Sequence, residues 1–258
     1  MNGVIVYFPW GAGGNLVRNL ITIDTRFEFL DDQDPIGKYP TEDGRYNFLL
    51  DYYSKPMDPT TWLPREWSLR ARFHARYYEG GNCVYWNPDS LLVYDVHGGG
   101  TEIDNILDSR PLKCYDRYRI DRGLRSEQLS NWALVECTHI FLLPSDIPQI
   151  TKIYNSKNPT INQLENEGDL EYRQKEAEII NTTMTNRLIG LSQKLIDQHQ
   201  TVYKYDCIDL YKTPDIIYNI ADNLSLSIKK EYINTIHSLW LQSTREVYYN
   251  YFNKELKL

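Results

Sequence analysis

Residues 4–23 constrain the fold of this chain more than any other stretch. Val4-Ile5-Val6-Tyr7-Phe8 is a short apolar run, β-branched and aromatic, of the kind that fills a buried strand. Pro9-Trp10-Gly11-Ala12-Gly13-Gly14-Asn15 follows, and then Leu16, Val17, Leu20, Ile21 and Ile23 recur at helical spacing. The order strand, glycine loop, helix points successive backbone N–H groups, and the positive end of a helix dipole, at one spot. Glycines at positions 11, 13 and 14 let the backbone turn tightly and approach an anion without interference from a Cβ. The loop therefore reads as a phosphate or sulfate cradle. A strand–helix turn that uses glycine for geometry alone is the competing explanation.

Two common nucleotide loops do not fit. G-x-x-x-x-G-K-[ST] needs a lysine for the phosphates and a hydroxyl for magnesium, and Gly13-Gly14-Asn15-Leu16 has neither. G-x-G-x-x-G matches at Gly11 and Gly13 but meets Leu16 at its third position. Phe8-Pro9-Trp10-Gly11-Ala12-Gly13-Gly14-Asn15 instead resembles the 5′-phosphosulfate loop of the sulfotransferase family. In that family an aromatic-proline pair ends the first strand, followed by a lysine and a short glycine-containing turn. Phe8-Pro9 supplies the pair, and Trp10 stands at the lysine position.

Composition narrows the class. A net charge of −7 over 258 residues excludes a general nucleic-acid binder, which would carry a basic surplus. Cys83, Cys114, Cys137 and Cys207 are far apart with no C-x-x-C pair, so neither a zinc site nor a disulfide framework is expected. No basic-then-apolar leader precedes Val4, and no apolar run approaches the ~18 residues of a membrane span. The expectation is a cytoplasmic protein in which the sequons at Asn181 and Asn223 carry no weight.

Further along, residues 31–64 are rich in Asp, Pro, Gly and Tyr with little periodicity and read as a long loop. Its Asp31, Asp32 and Asp34 read as a solvated turn rather than a metal site. Pro64 opens and Gly80-Gly81 closes a helix with Trp67, Ala71, His74 and Tyr78 on one face and four arginines on much of the rest. Leu91 to Val96 is a second buried strand, with His97 at its carboxyl end before Gly98-Gly99-Gly100. Ligands of open α/β sheets bind outside the carboxyl ends of the strands, so His97 is placed on the rim of the glycine loop. A histidine titrating near neutrality suits general-base work, and hydrogen bonding within its own turn is the alternative. Residues 103–128 mix arginines with acids and read as a salt-bridged surface.

Cys137-Thr138-His139-Ile140-Phe141-Leu142-Leu143 is a third strand, leading through Pro144-Ser145-Asp146 into a helix with Ile147, Ile150, Ile153 and Tyr154 on one face. Residues 160–199 have the spacing of one or two helices, interrupted by Gly168 and Gly190, and read as a packing or dimer-forming arm. Thr201–Asp206 is a fourth strand, and helices follow over Pro214–Leu224 and from about Leu226 to Phe252.

Strands alternating with helices argue for a mostly parallel sheet covered on both faces. The resemblance implies a single α/β domain over residues 1–258, a P-loop-like three-layer sandwich similar to sulfotransferases. It also implies sulfuryl transfer from 3′-phosphoadenosine 5′-phosphosulfate to a hydroxyl or amine of a small-molecule or glycan acceptor, with no metal. Gly11, Ala12, Gly13, Gly14, Asn15 and Leu16 would line the cofactor loop, Arg18 would add a donor, and His97 would take the acceptor proton. Ser145 and Lys152, after the third strand, stand near the family's 3′-phosphate motif, where Pro144 occupies the arginine position and Thr151 or Lys152 the serine position. Because Trp10 and Pro144 replace the family's cations, a catalytically inactive sulfotransferase-like binding protein is the alternative, followed by a nucleotide-sugar glycosyltransferase.

Overall fold

The structure is a computed structural model that describes residues 3–29, 36, 39–55, 91–97, 137–157, 167–252 and 255–256. The helix expected after Pro64, with His74 and its arginines, and the arginine-rich stretch 103–128 lie outside the described residues, as do Asp31, Asp32 and Asp34.

Five strands form one sheet: β1 (Gly3–Phe8), β2 (Phe27–Phe29), β3 (Leu91–His97), β4 (Cys137–Leu143) and β5 (Thr201–Asp206), in the order β2-β3-β1-β4-β5. Every neighbouring pair is parallel. The described helices are α1 (Gly14–Ile21), α2 (Glu42–Ser54), α3 (Ile147–Ser156), α4 (Glu167–Asp197), α5 (Asp215–Asn223) and α6 (Lys230–Phe252), with a 3₁₀ turn over Cys207–Tyr211. None of the described helices is long and apolar enough to cross a membrane.

β1 lies at the centre of the sheet because its residues suit burial on both sides. Val4, Val6 and Phe8 join Ile140 and Leu142 of β4 in the main apolar core with α1, α5 and α6. Ile5 and Tyr7 alternate with them and are equally buried. On that second face the Tyr7 ring stacks on Phe141 at 4.3 Å, and its hydroxyl pairs with His139 Nδ1 at 2.9 Å. α4 lies against β4, β5 and β1, with Met184, Leu188, Leu191 and Leu195 buried. Each such fully buried side chain contributes about 1.5–3 kcal/mol.

Two elements differ from the sequence reading. β2 is only three residues long, too short to carry a period, and is held by pairing Phe27 with Leu91 of β3. α2 falls within the stretch expected to be loop. Thr41 caps it by accepting the Gly44 N–H at 3.1 Å, and Glu42 and Asp43 sit favourably in its first turn. Only Arg45 and Leu49 of α2 are buried, so no apolar stripe marks the helix in the sequence. Its anchor is polar. The Arg45 guanidinium donates to the carbonyls of Thr22 (2.9 Å), Asp24 (3.3 Å), Phe27 (2.6 Å) and Tyr39 (2.9 Å), at the end of α1 and beyond it.

Candidate functional site

The chain leaves β1 toward the β2 edge and leaves β4 toward β5, so the order reverses between the carboxyl ends of β1 and β4, where open α/β sheets place ligands. Pro9 ends β1, and the Ala12 N–H donates to the Pro9 carbonyl at 3.3 Å to close a turn. Gly11 takes φ 84° as its third residue, which a type II turn demands. Gly13 takes φ 77° as the N-cap of α1, and its carbonyl accepts the amides of Leu16 (3.0 Å) and Val17 (3.3 Å).

Each loop glycine also answers to a protein neighbour. A Cβ on Gly11 would sit 2.5 Å from the Ile150 carbonyl oxygen of α3. On Gly14 it would lie 2.1 Å from the Phe8 ring, and on Gly13 it would touch Leu210 and Trp240 at 3.2 Å. The geometric explanation thus accounts for all three residues. It does not account for the amides.

Trp10 and Ala12 spend their N–H groups on the protein: that of Trp10 goes to Asn181 Oδ1 at 3.1 Å. The amides of Gly11, Gly13, Gly14 and Asn15 have no acceptor among the described residues. They stand at the start of a helix with no acidic residue in its first turn and no side-chain cap, where the dipole leaves partial positive charge. Such an arrangement can bind an oxyanion.

The loop is braced from behind by three elements. Asn181 of α4 is fully buried, and its Nδ2 donates to the Trp10 carbonyl at 3.2 Å and to Thr151 Oγ1 at 3.0 Å. The Trp10 ring stacks on Tyr154 of α3 at 4.8 Å. The Tyr211 hydroxyl donates to the Gly11 carbonyl, and burial holds its pKa well above the usual value, so it remains a donor. His237 of α6 secures that turn by donating from Nε2 to the Leu210 carbonyl at 2.6 Å. Lys157, at the end of α3, rests 5.3 Å over the Trp240 ring and donates to Thr244 Oγ1; burial pushes its pKa down to about 8.

The residues expected at the site divide into three groups. Gly11 and Gly13 are half-buried, Gly14 is buried, and Asn15 is exposed. His97 ends β3 in register with Phe8, so its backbone stands at the same rim; its side chain lies outside the description. Ser145 is exposed at the end of β4, with its amide donated to Asp206 Oδ1 at 3.1 Å. Ala12 and Leu16 face the core. Arg18 is only 5 % exposed, and its guanidinium bonds Asn19 Oδ1 at 3.2 and 3.0 Å. Lys152 projects from α3 to the surface, while its neighbour Thr151 is buried in the Asn181 clamp. Asp146 caps α3 by accepting the Gln149 amide at 2.9 Å.

Asn181 and Tyr211 are the site-forming residues that sequence reasoning passed over, and Thr151, read near the family's serine position, instead accepts from Asn181. Asn181 did leave a signal: it interrupts the buried stripe of Ala177, Met184 and Leu188 with an amide, which needs a partner when buried. Comparison with known proteins adds no relative, since no family model matches the chain and neither a curated protein nor a solved structure matches it.

Proposed function

We propose that the β1–α1 loop binds the phosphate or phosphosulfate of a nucleotide, and that the chain is a divergent sulfotransferase-like protein. In this reading residues 1–258 form one P-loop-like three-layer domain; parallel strands buried on both faces at β1 support that layering. The observation that carries the proposal is the set of four amides, from Gly11, Gly13, Gly14 and Asn15, that have no acceptor among the described residues, at a helix start free of acidic residues.

With 3′-phosphoadenosine 5′-phosphosulfate bound, those amides would offset charge growing on the leaving 5′-phosphate as the sulfuryl group passes to a hydroxyl or amine. His97, level with Phe8, would accept the proton from the acceptor. The Ser145 hydroxyl and Lys152 would remain for the 3′-phosphate.

A binding protein without catalysis is the second reading, and one observation favours it. Trp10, at the family's lysine position, has both of its peptide groups held by Asn181 and its ring held by Tyr154, while Arg18 is turned inward on Asn19.

Calorimetric titration with adenosine 3′,5′-bisphosphate tests the shared claim. The expected Kd is on the order of 10–100 μM, and the absence of heat at millimolar ligand removes the cofactor. Enzyme and binding protein are then separated by His97→Ala assayed with donor and an acceptor panel. A catalytic His97 costs about 10²–10⁴ in rate with nucleotide binding unchanged.

A further inference from the structure

We propose that Lys157 supplies the cation of the β1–α1 anion site, acting on the bound anion across the indole of Trp240. The inference rests on the reading of that loop as an anion site and names the charge the site uses. Between Pro9 and Ile21 the sequence holds one cation, Arg18, and its guanidinium is turned inward onto Asn19. A charge that favours anions at the loop therefore has to come from another element.

Lys157 closes α3, its amide donating to the Tyr154 carbonyl at 3.0 Å. Its side chain crosses to α6, where Nζ lies 5.3 Å over the Trp240 ring and donates to Thr244 Oγ1 at 2.9 Å. The same indole meets the loop at two points. Its edge would lie 3.2 Å from a Cβ on Gly13. The Tyr211 ring lies 4.8 Å from it, and the Tyr211 hydroxyl donates to the Gly11 carbonyl. One aromatic ring thus stands between the ammonium and the loop.

Among the described residues Lys157 makes no ion pair; its ammonium has a hydroxyl and an aromatic ring. Burial of a charge without a counter-ion is unfavourable, so a bound anion that offsets it binds more tightly. The neighbouring groups do not compete for this role. His237 of α6 lies 5.9 Å from the Trp240 ring, and burial lowers its pKa. In the 3₁₀ turn burial raises the pKa of Tyr211 and Cys207. All three shifts lead away from pH 8, whereas burial brings Lys157 down to about 8. Arg245 and Glu246 of α6 and Lys152 of α3 are exposed. On α4, which packs against α3, Glu171 pairs with Lys175 and Glu176 with Arg173, and Glu178 is exposed. Lys157 is therefore charged below about pH 8, and a bound anion favours the charged form. Across a separation on the order of 10 Å, with a surface-like effective dielectric, that charge is worth roughly tenfold in affinity.

Calorimetric titration with adenosine 3′,5′-bisphosphate at about pH 7.5 and about pH 9.5 tests the proposal, since phosphate monoesters are ionised throughout that window. The probe is added to the unaltered chain, to Lys157→Met and to Lys157→Gln. Affinity of the unaltered chain is expected to fall about fivefold between the two pH values, as the ammonium loses its proton. Both variants are expected to bind about tenfold more weakly at the lower pH and to lose the pH dependence. Glutamine can still donate to Thr244, so an equal loss in both variants assigns the effect to charge. Urea unfolding is expected to show both variants at least as stable as the unaltered chain, because each removes a buried charge. No heat from the unaltered chain at millimolar ligand removes the anion site, and this inference with it. An unaltered chain that binds, beside a folded Lys157→Met that binds equally well, overturns the role of Lys157 and leaves the site standing. An affinity of the unaltered chain that is the same at both pH values overturns it too, whether or not the variants fold.

Discussion

The two ends of α1 are treated in opposite ways. At its carboxyl end the Thr22 hydroxyl donates to the Asn19 carbonyl at 2.8 Å, and the buried Arg45 guanidinium gathers the carbonyls of Thr22, Asp24 and Phe27. At its amino end Gly13 caps without a side chain, and four consecutive or near-consecutive amides have no acceptor among the described residues. Both ends of a helix leave orphan backbone groups and partial charge of opposite sign. Here the protein brings a cation from α2 to one end and no described anion to the other. It also spends Asn181, Tyr154 and Tyr211 on holding the open loop from behind. That asymmetry is the physical content of the anion-site proposal: a loop fixed in place, with four amides that have no acceptor among the described residues.

Removing the closure is expected to have the largest effect. Arg45→Met leaves four carbonyls short of a donor and is expected to cost about 3–5 kcal/mol in urea unfolding. A loss below about 1 kcal/mol would mean that water closes this end as well as arginine does.

Between about pH 6.5 and 4 acid acts on the sheet through His139, and this sets the conditions for comparing the helix ends. His139 is buried beside Tyr7 with no partner on Nε2 among the described residues, and burial pushes its pKa down to about 4. The folded form therefore holds this ring neutral while the unfolded chain takes up a proton near pH 6.5. Stability is expected to be full above about pH 6.5 and to fall by roughly 3 kcal/mol as the pH drops to about 4. Thermal melts across that range check it, and His139→Leu combined with Tyr7→Phe is expected to flatten the profile.

Loosening the brace comes next. Asn181→Ala deletes the hydrogen bonds to the Trp10 amide, the Trp10 carbonyl and Thr151, at an expected cost of about 1–3 kcal/mol. Anion affinity is expected to fall with it, because the loop would no longer hold its donors in one direction. If stability falls and affinity does not, the brace serves packing alone.

How much of this was legible in the sequence depends on the range of the contacts involved. Val4–Phe8 announced a buried strand because all five residues are apolar, and the glycines announced a turn. β3, β4, β5 and the helices after each of the last two were readable for the same local reasons. α2 was not, because its buried contact is a guanidinium reaching backbone groups outside the helix. The reasons for Gly11 and Gly13 were also hidden, since Ile150, Leu210 and Trp240 approach from 139 to 227 positions away in the chain. Asn181 meets Trp10 from a sequence distance of 171 residues, so only its place in an apolar stripe could have drawn notice. On α4 the apolar residues are all visible in the sequence, but their spacing does not separate the buried Met184 and Leu188 from the exposed Ile179 and Ile196. Arg18 was read as a donor from its place in the first helix, where every residue from Leu16 to Ile21 is buried.

The smallest expected change in stability gives the most direct test of the open end. Asn15→Asp places a carboxylate in the first turn of α1, next to the amides that have no acceptor among the described residues, at an exposed position. It is expected to stabilise the fold by about 0.3–1 kcal/mol through the helix dipole. The same charge is expected to weaken adenosine 3′,5′-bisphosphate binding at least about tenfold by occupying and repelling at the anion position. Calorimetry on both proteins above pH 7 reads the two effects side by side. A variant that is slightly more stable and binds far more weakly supports an anion site at the Gly11–Asn15 amides. A variant that binds the bisphosphate as tightly as the unaltered chain contradicts it.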